Sequence, residues 1–368
     1  MRGGTDVLVI GGGPAGLSAA IAAVKKGFKV TVADGAKPPI DKVCGEGLMP
    51  QTLGALHDLG VEISPRDGHV FRGIRFVDAA TTVLASFPEG NGIGVRRTVL
   101  HERMVERAKE CGVNLRWNTP VAGLSEDGAI VGGTVLKAKW IIGADGIRSR
   151  VRRWQGLDLN LRQEVRFARR QHYRVKPWTD FVEIHWGRTM QAYVTPLGKD
   201  ETCVALISRD SRTRVKDGLR EFPRLARSLS QAEVSGAERG AVTAMRKLDR
   251  VIHGNVALTG DASGSVDAIT GEGLCLSFRQ AVALADALER GELENYQRAH
   301  RRLARQPYRM ARLLLLLDRY PVLRGRVLRT LAKDPDVFGR VLAIHTGEIS
   351  PKNLAMTSLS LGWQFLVA

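Results

Sequence analysis

Residues 5–34 leave little choice of fold. "TDVLVI" (5–10) is a short apolar run rich in β-branched residues, as in a buried parallel strand. "GGGPAG" follows at once and sets Gly11, Gly13 and Gly16 in the pattern G-x-G-x-x-G. "LSAAIAAVKKG" then repeats small apolar residues at helical spacing and stops at Gly27. Pro14 suits the first turn of that helix, where an N–H is not needed, and Ala15 keeps the turn slim. "KVTVAD" (29–34) reads as a second strand ending on Asp34. Gly11 permits the tight turn, Gly13 lets backbone approach a pyrophosphate, and Gly16 allows helix and strand to pack closely. The helix N-terminus offers free N–H groups and partial positive charge to phosphates, and Asp34 is placed to accept from a ribose. Strand, glycines, helix, strand and acid in register predict a dinucleotide-binding unit.

A chain of 368 residues is long enough for two domains, or for one α/β domain carrying an insertion. No stretch of about 18 uncharged apolar residues occurs, which speaks against a membrane-spanning helix. "MRGGT" runs straight into the first strand and leaves no room for a signal peptide. Cys44, Cys111, Cys203 and Cys275 are scattered without C-x-x-C, as expected in a reducing cytoplasm, and the eight histidines show no metal spacing. No metal site is expected. The formal net charge of +17 is uneven. Between Arg298 and His345 there are twelve Lys/Arg against three Asp/Glu, and a second basic block runs from Arg148 to Lys176. Such fields attract anions, nucleic acid or acidic lipid. The plainer reading is a solvated basic helix face.

Three further segments decide the nucleotide. "AKWIIGADGIRSRVRR" (138–153) is a strand entering Gly143-Ala144-Asp145-Gly146, and "NVALTGDASGSVDAITGEGL" (255–274) contains a strand ending on Gly260-Asp261. "GVRRTVLHERMVERAKECGV" (94–113) is an amphipathic helix entered through Arg96 and Arg97. With these, the sequence resembles the flavoprotein monooxygenase superfamily, whose relatives include aromatic hydroxylases, geranylgeranyl reductases and flavin-dependent halogenases. The resemblance covers most of residues 5–290 and implies bound FAD. It implies that Asp145 and Gly146 lie beside the pyrophosphate, that Gly260 and Asp261 meet the ribityl chain, and that Arg97, with Leu100 in an R-x-x-L pattern, reaches the pyrophosphate side. A backbone edge near Val121 would meet the adenine. Only one G-x-G-x-x-G is present, so NAD(P)H must dock transiently or a separate reductase must supply electrons.

Around the flavin ring, the family places Gly271, Glu272, Gly273 and Leu274 at the start of a helix aimed at the edge that becomes negative on reduction. Many hydroxylases carry a proline just before these glycines; this chain has Asp267-Ala268-Ile269-Thr270, nearer the reductase and halogenase branches. "DKVCGEGLMP" (41–50) is similar to a K-x-C-G-x-G-L-x-P element bordering the flavin in those branches, which puts Cys44, Gly45 and Gly47 against the ring. "FVEIHWG" (181–187), "MQAYVTPLG" (190–198) and "ETCVALIS" (201–208) alternate like antiparallel strands within a strand-rich stretch from about Gln163 to Arg246. "AYVTP" is similar to the Y-x-W-x-F-P of geranylgeranyl reductases but keeps only Tyr193 and Pro196, and the halogenase W-x-W-x-I-P is missing. Tyr193 and Trp186 are candidates for the pocket wall.

The expected architecture is α/β: a Rossmann-type FAD-binding domain with a parallel sheet (1–70, 94–160 and 247–295), an inserted antiparallel-sheet substrate domain (71–93 and 161–246), and a basic helical tail (296–368). The leucines of the tail should pack on the FAD domain, with its arginines solvated or docked on an anionic membrane. The expected activity is an NAD(P)H-fuelled monooxygenase hydroxylating a small aromatic, polyketide-like or quinone-like apolar substrate. The alternatives are a geranylgeranyl-reductase-like enzyme, in which Cys44 or Tyr193 would give a proton to an alkene, and a basic binding protein with structural FAD. No nucleic-acid recognition module is evident. A cytoplasmic location follows, with contact at the inner face of the membrane as its sharper form.

Overall fold

The computed structural model describes residues 4–158 and 165–346. The expected domain limits at 160 and 161 and the tail beyond 346 therefore lie outside the described residues. The strand Thr5–Ile10, the helix Pro14–Lys25 and the strand Val30–Ala33 form where the pattern places them. Both strands pair in parallel, and Thr5–Ile10 pairs on its other side with Thr134–Gly143. An eight-stranded sheet grows from this centre, with Val256–Leu258 beyond Thr134–Gly143 and Asn114–Arg116 beyond Val30–Ala33. Its core is Val7, Leu8, Val9, Leu17, Ile21 and Val32 against Phe278, Leu284 and Leu288 of the helix Gly273–Glu289.

The second sheet has seven strands. Glu233–Ala244, Val165–Arg174, Glu201–Ser208, Met190–Gly198 and Phe181–Trp186 run antiparallel in that spatial order, and Gly73–Val77 with Thr82–Ser86 closes one edge. The three strands read from alternation are buried on both faces, because helices and loops cover each side. One face packs on Val215, Leu219, Phe222 and Leu225. The other carries Ile74, Val182, Ile184, Trp186, Tyr193 and Ile207. A small sheet of Gly47–Leu48, Gly92–Gly94 and His69–Phe71 links the two halves.

The tail corrects one expectation. Its helices Leu293–Arg319, Pro321–Lys333 and Pro335–Thr346 begin afresh at the two prolines, each taking an N-terminal position. Leu317, Leu328, Leu331, Val337, Phe338 and Leu342 pack mainly on the seven-stranded sheet, while Tyr296, Leu303 and Ala311 pack on the FAD-domain side, the latter two against Val266 and Leu276. The sheet offers a continuous apolar face that burial against the tail removes from water. No helix among the described residues is long and apolar enough to cross a membrane.

The basic block at 148–176 turns inward in part, while Arg148, Arg150, Arg153, Arg174 and Lys176 stay exposed. Arg152, Arg166 and Arg170 are buried and face Asp158, Asp267 and the Asp41/Glu46 pair. These charges are neutralised inside the fold and contribute little to an external field.

Candidate active site

The glycine loop is clamped from three sides. Gly11 sits at φ +111°, where a Cβ would strike the Ala144 carbonyl, and a Cβ on Gly16 would strike the carbonyl of Gly11. The Gly12 N–H donates to Asp34 Oδ2 at 2.6 Å, while Asp34 Oδ1 accepts from the Ala36 N–H. Asp34 therefore holds the loop through both carboxylate oxygens. His101, fully buried, accepts from the Ile40 N–H at Nδ1, which leaves Nε2–H to donate to the Gly12 carbonyl at 2.8 Å. Burial holds this imidazole below its ordinary pKa, in keeping with that neutral tautomer. Pro14 opens the helix, Ala15 is half-buried beside it, and no side chain caps the N-terminus at Gly13. Val121 starts the strand Val121–Ser125 just after Pro120, which lies over Gly35.

Asp145 uses one oxygen locally: Oδ2 accepts from the Arg150 and Val151 N–H groups. Its Oδ1 is buried with no partner among the described residues. Arg97 is buried with its Nε likewise unpartnered. Asp261 is exposed at the end of the Val256–Leu258 connection, with Lys42, Arg97 and Arg152 surrounding it with positive charge. Gly260, at φ +58°, sits over Ala15 and donates its N–H to Gln280 Oε1. The structure thus brings residues from four distant segments to one groove.

The two loops expected to border the ring meet each other. Gly271 faces the Met49 methyl, and Cys275 Sγ approaches the Gln51 carbonyl at 3.6 Å. A Cβ on Gly13, Gly45 or Gly273 would meet nothing within 4 Å. The helix Gly273–Glu289 has no side-chain cap at its N-terminus. Open glycine faces, two uncapped helix N-termini and orphaned polar atoms on Asp145 and Arg97 fit a bound FAD. Gly146 and Gly47 are half-buried along this groove, as is Leu274. Glu272 is buried, and burial raises its carboxyl, opposed by His345 from the last described helix.

Glu46, between Gly45 and Gly47, is the functional residue that the sequence reading passed over. It is buried at φ +61°, a left-handed conformation that is uncommon for glutamate. Its Oε1 accepts from the Arg97 N–H at 2.8 Å and from Arg170 Nη1 at 2.9 Å, and its Oε2 accepts from His172 Nε2–H at 2.6 Å. Arg170 also forks onto Asp41. The network ties the "DKVCGEGL" loop to the strand Val165–Arg174. Glu46, His172 and Cys203 place ligand atoms within 4.8 Å of one another, a grouping that a metal could use. Here the Arg170 guanidinium already supplies the cation, and burial beside Glu46 holds the Cys203 thiol well above its usual pKa and so protonated.

Cys44 is half-buried and its sulfur accepts from the Glu46 N–H. Burial raises its thiol, against the pull of Arg97, so it keeps its proton at neutral pH. Tyr193 is buried, its hydroxyl donating to the Ile269 carbonyl at 2.9 Å. Ile269 precedes Gly271 by two residues, so Tyr193 braces the ring-side loop. On the far side of that loop Arg166 pairs with Asp267 inside the protein.

Comparison with known proteins bears on the family and the cofactor. The model of a family described as FAD binding domain matches residues 4–303. A menaquinone reductase of Mycolicibacterium smegmatis is 28% identical over 359 residues, covering 88% of this chain and 87% of that protein. A digeranylgeranylglycerophospholipid reductase of Methanothermobacter thermautotrophicus is 29% identical, covering 73% of each chain. Among solved structures, a flavoprotein/dehydrogenase from Cytophaga hutchinsonii superposes with a TM-score of 0.81 at 21% identity, covering 95% of this chain and 94% of that one.

Proposed function

The chain belongs to the FAD binding domain family, and from that premise we propose that this FAD-dependent oxidoreductase saturates a carbon–carbon double bond in an isoprenoid lipid. This choice reverses the order expected from sequence, where monooxygenation came first. The observation that carries it is the Cys44 thiol, half-buried and held protonated by its surroundings in the loop whose Gly45 stands open, a proton source beside the place for the ring. Two similar proteins, named for reduction of a menaquinone and of a geranylgeranyl lipid, support the same reading.

Saturation takes one hydride and one proton: the π bond breaks and each carbon gains a C–H bond. Bound, reduced FAD supplies the hydride, and NAD(P)H or a separate reductase restores its two electrons. The residues of this chain do the rest. Gly45 and Gly273 leave room for the ring, and the N-terminus of Gly273–Glu289 stabilises negative charge at its edge. Cys44, protonated and within the groove, gives the proton; Tyr193 positions the Ile269 loop.

The test is anaerobic: dithionite-reduced holoprotein is mixed with a menaquinone bearing a fully unsaturated side chain and with a geranylgeranyl lipid, and products are read by mass spectrometry. A gain of two hydrogens in either lipid, diminished in Cys44→Ala that retains FAD, is expected. No gain in either, together with oxygen insertion into an apolar aromatic once air is admitted, overturns the reading in favour of the monooxygenase.

A further inference from the structure

A cavity of about 520 Å³ lies at the rim of the seven-stranded sheet, away from the glycine-lined groove. Its wall combines the strand end at Trp186 and Gly187, the Phe222–Leu225 segment, Val77–Ala79 and the start of the tail helix at Pro321 and Arg324. Most of this wall is apolar, and two buried donors in it lack partners among the described residues. Trp186 Nε1 and Arg324 Nη1 are both orphaned, and each residue is only 4% exposed. The rest of the Arg324 guanidinium is engaged: Nε donates to Asp78 Oδ2 at 3.2 Å and Nη2 to the Gly187 carbonyl at 3.2 Å, and its carbon stands 5.5 Å from the Trp186 ring centroid. The fork is thus fixed, with one arm left over.

The acids in the wall are already taken. Asp78 accepts from Arg324 and, through Oδ1, from the Ala79 N–H. Glu221 accepts from the Arg188 and Thr189 N–H groups and from Thr189 Oγ1. His185, also in the wall, donates through Nε2 to Glu183. What stays available is positive or donating: Arg324 Nη1, Trp186 Nε1 and the exposed side chains of Arg188 and Arg224 at the mouth. A buried donor left without an acceptor carries its full desolvation cost, which an oxyanion would recover.

The surroundings narrow the ligand further. Pro321, on the rim, adjoins an exposed apolar knuckle of Leu316, Tyr320, Val322 and Leu323, with Val322 75% exposed. Arg312, Arg319 and Arg326 lie on the same stretch of chain. We propose that this cavity is a second binding site, distinct from the FAD groove, for an oxyanion carried on an apolar body, with Arg324 Nη1 and Trp186 Nε1 as its donors. A membrane lipid head group and a soluble alkyl phosphate share this chemistry. The proposal stands independently of which reaction the flavin performs.

The test titrates the holoprotein with hexyl phosphate and with inorganic phosphate by calorimetry, and with sedimented vesicles of phosphatidylcholine with or without phosphatidylglycerol. Trp186→Phe keeps the ring and removes one donor; Arg324→Lys keeps the charge and removes the fork. Val322→Asp alters the knuckle alone. Flavin absorbance and thermal unfolding confirm that each variant is folded. Hexyl phosphate should bind more tightly than inorganic phosphate and weaken roughly tenfold in Trp186→Phe, the worth of one charge-assisted hydrogen bond. If the lipid is the source, phosphatidylglycerol vesicles bind, phosphatidylcholine vesicles do not, and Val322→Asp abolishes the difference. If a soluble phosphate is the source, hexyl phosphate binds and neither vesicle does. Binding of none of these, or binding unchanged in both folded Trp186→Phe and Arg324→Lys, overturns the proposal.

Discussion

Replacing Glu46 should injure the protein more than replacing any other polar residue of its loop. Its carboxylate serves three donors at 2.6–2.9 Å, from Arg97, Arg170 and His172, inside a buried network. Glu46→Ala removes one partner of a buried ion pair and leaves Arg170 with Asp41 alone, a change worth about 3–5 kcal/mol. Glu46→Gln keeps an acceptor for the Arg97 N–H but loses the charge, and should cost about 2 kcal/mol. The backbone separates two contributions to the damage. At φ +61° an alanine retains the left-handed strain that a glycine does not, so Glu46→Gly should be roughly 1 kcal/mol less damaged than Glu46→Ala. Urea unfolding of all four proteins gives these differences, and FAD titration by flavin fluorescence reports whether the loop still closes on the groove. An alanine variant within about 1 kcal/mol of the parent, or a glycine variant no better than alanine, would refute the hub.

His300, buried against Ser263 beside the Asp261 turn, is pulled down to about 4 from 6.5, first by burial and then by Arg301. The unfolded chain therefore takes up this proton before the folded one: stability is full above about pH 6.5 and falls towards pH 4 by about 3 kcal/mol. His300→Gln should shrink the gap in urea stability between pH 7.5 and 4.5 by about 2.5 kcal/mol, and equal gaps in the two proteins would contradict the assignment. Gly16→Ala drives a methyl onto the Gly11 carbonyl, so the variant should purify with little flavin per protein in its absorbance spectrum; a full flavin complement would show that the helix can retreat at no cost.

Local order was legible wherever chemistry and period lie within one segment. Gly11, Gly13, Gly16 and Asp34 sit within 24 residues, and the strand–helix–strand around them forms as the pattern dictates. The two-proline punctuation of the tail was equally plain. Pairings across long separations were not. Glu46 meets Arg170 across 124 residues and Arg166 meets Asp267 across 101, and no periodicity links such partners. Alternation in 181–208 announced strands but could not say that both faces would be covered, because the covering helices come from 215–228 and 317–342.

Charge shows the same limit most clearly. Of the 148–176 block, Arg148, Arg150, Arg153 and Arg174 reach solvent, but Arg166 and Arg170 lie inside with acids supplied by other segments, and Arg152 with Asp158 six residues on. A buried arginine must find a carboxylate or a carbonyl, so a basic run on an internal strand implies acids elsewhere on the chain, and for Arg166 and Arg170 these are Asp267, Asp41 and Glu46. The tail obeys the same rule with one exception. Arg324 turns inward to Asp78 and Gly187 but keeps one arm unmatched, and it stands where the apolar sheet face reaches the knuckle at 320–323. Where acids inside the chain satisfy the buried arginines, the sequence charge overstates the external field; where one donor remains unsatisfied in a cavity wall, the complement must come from outside the chain.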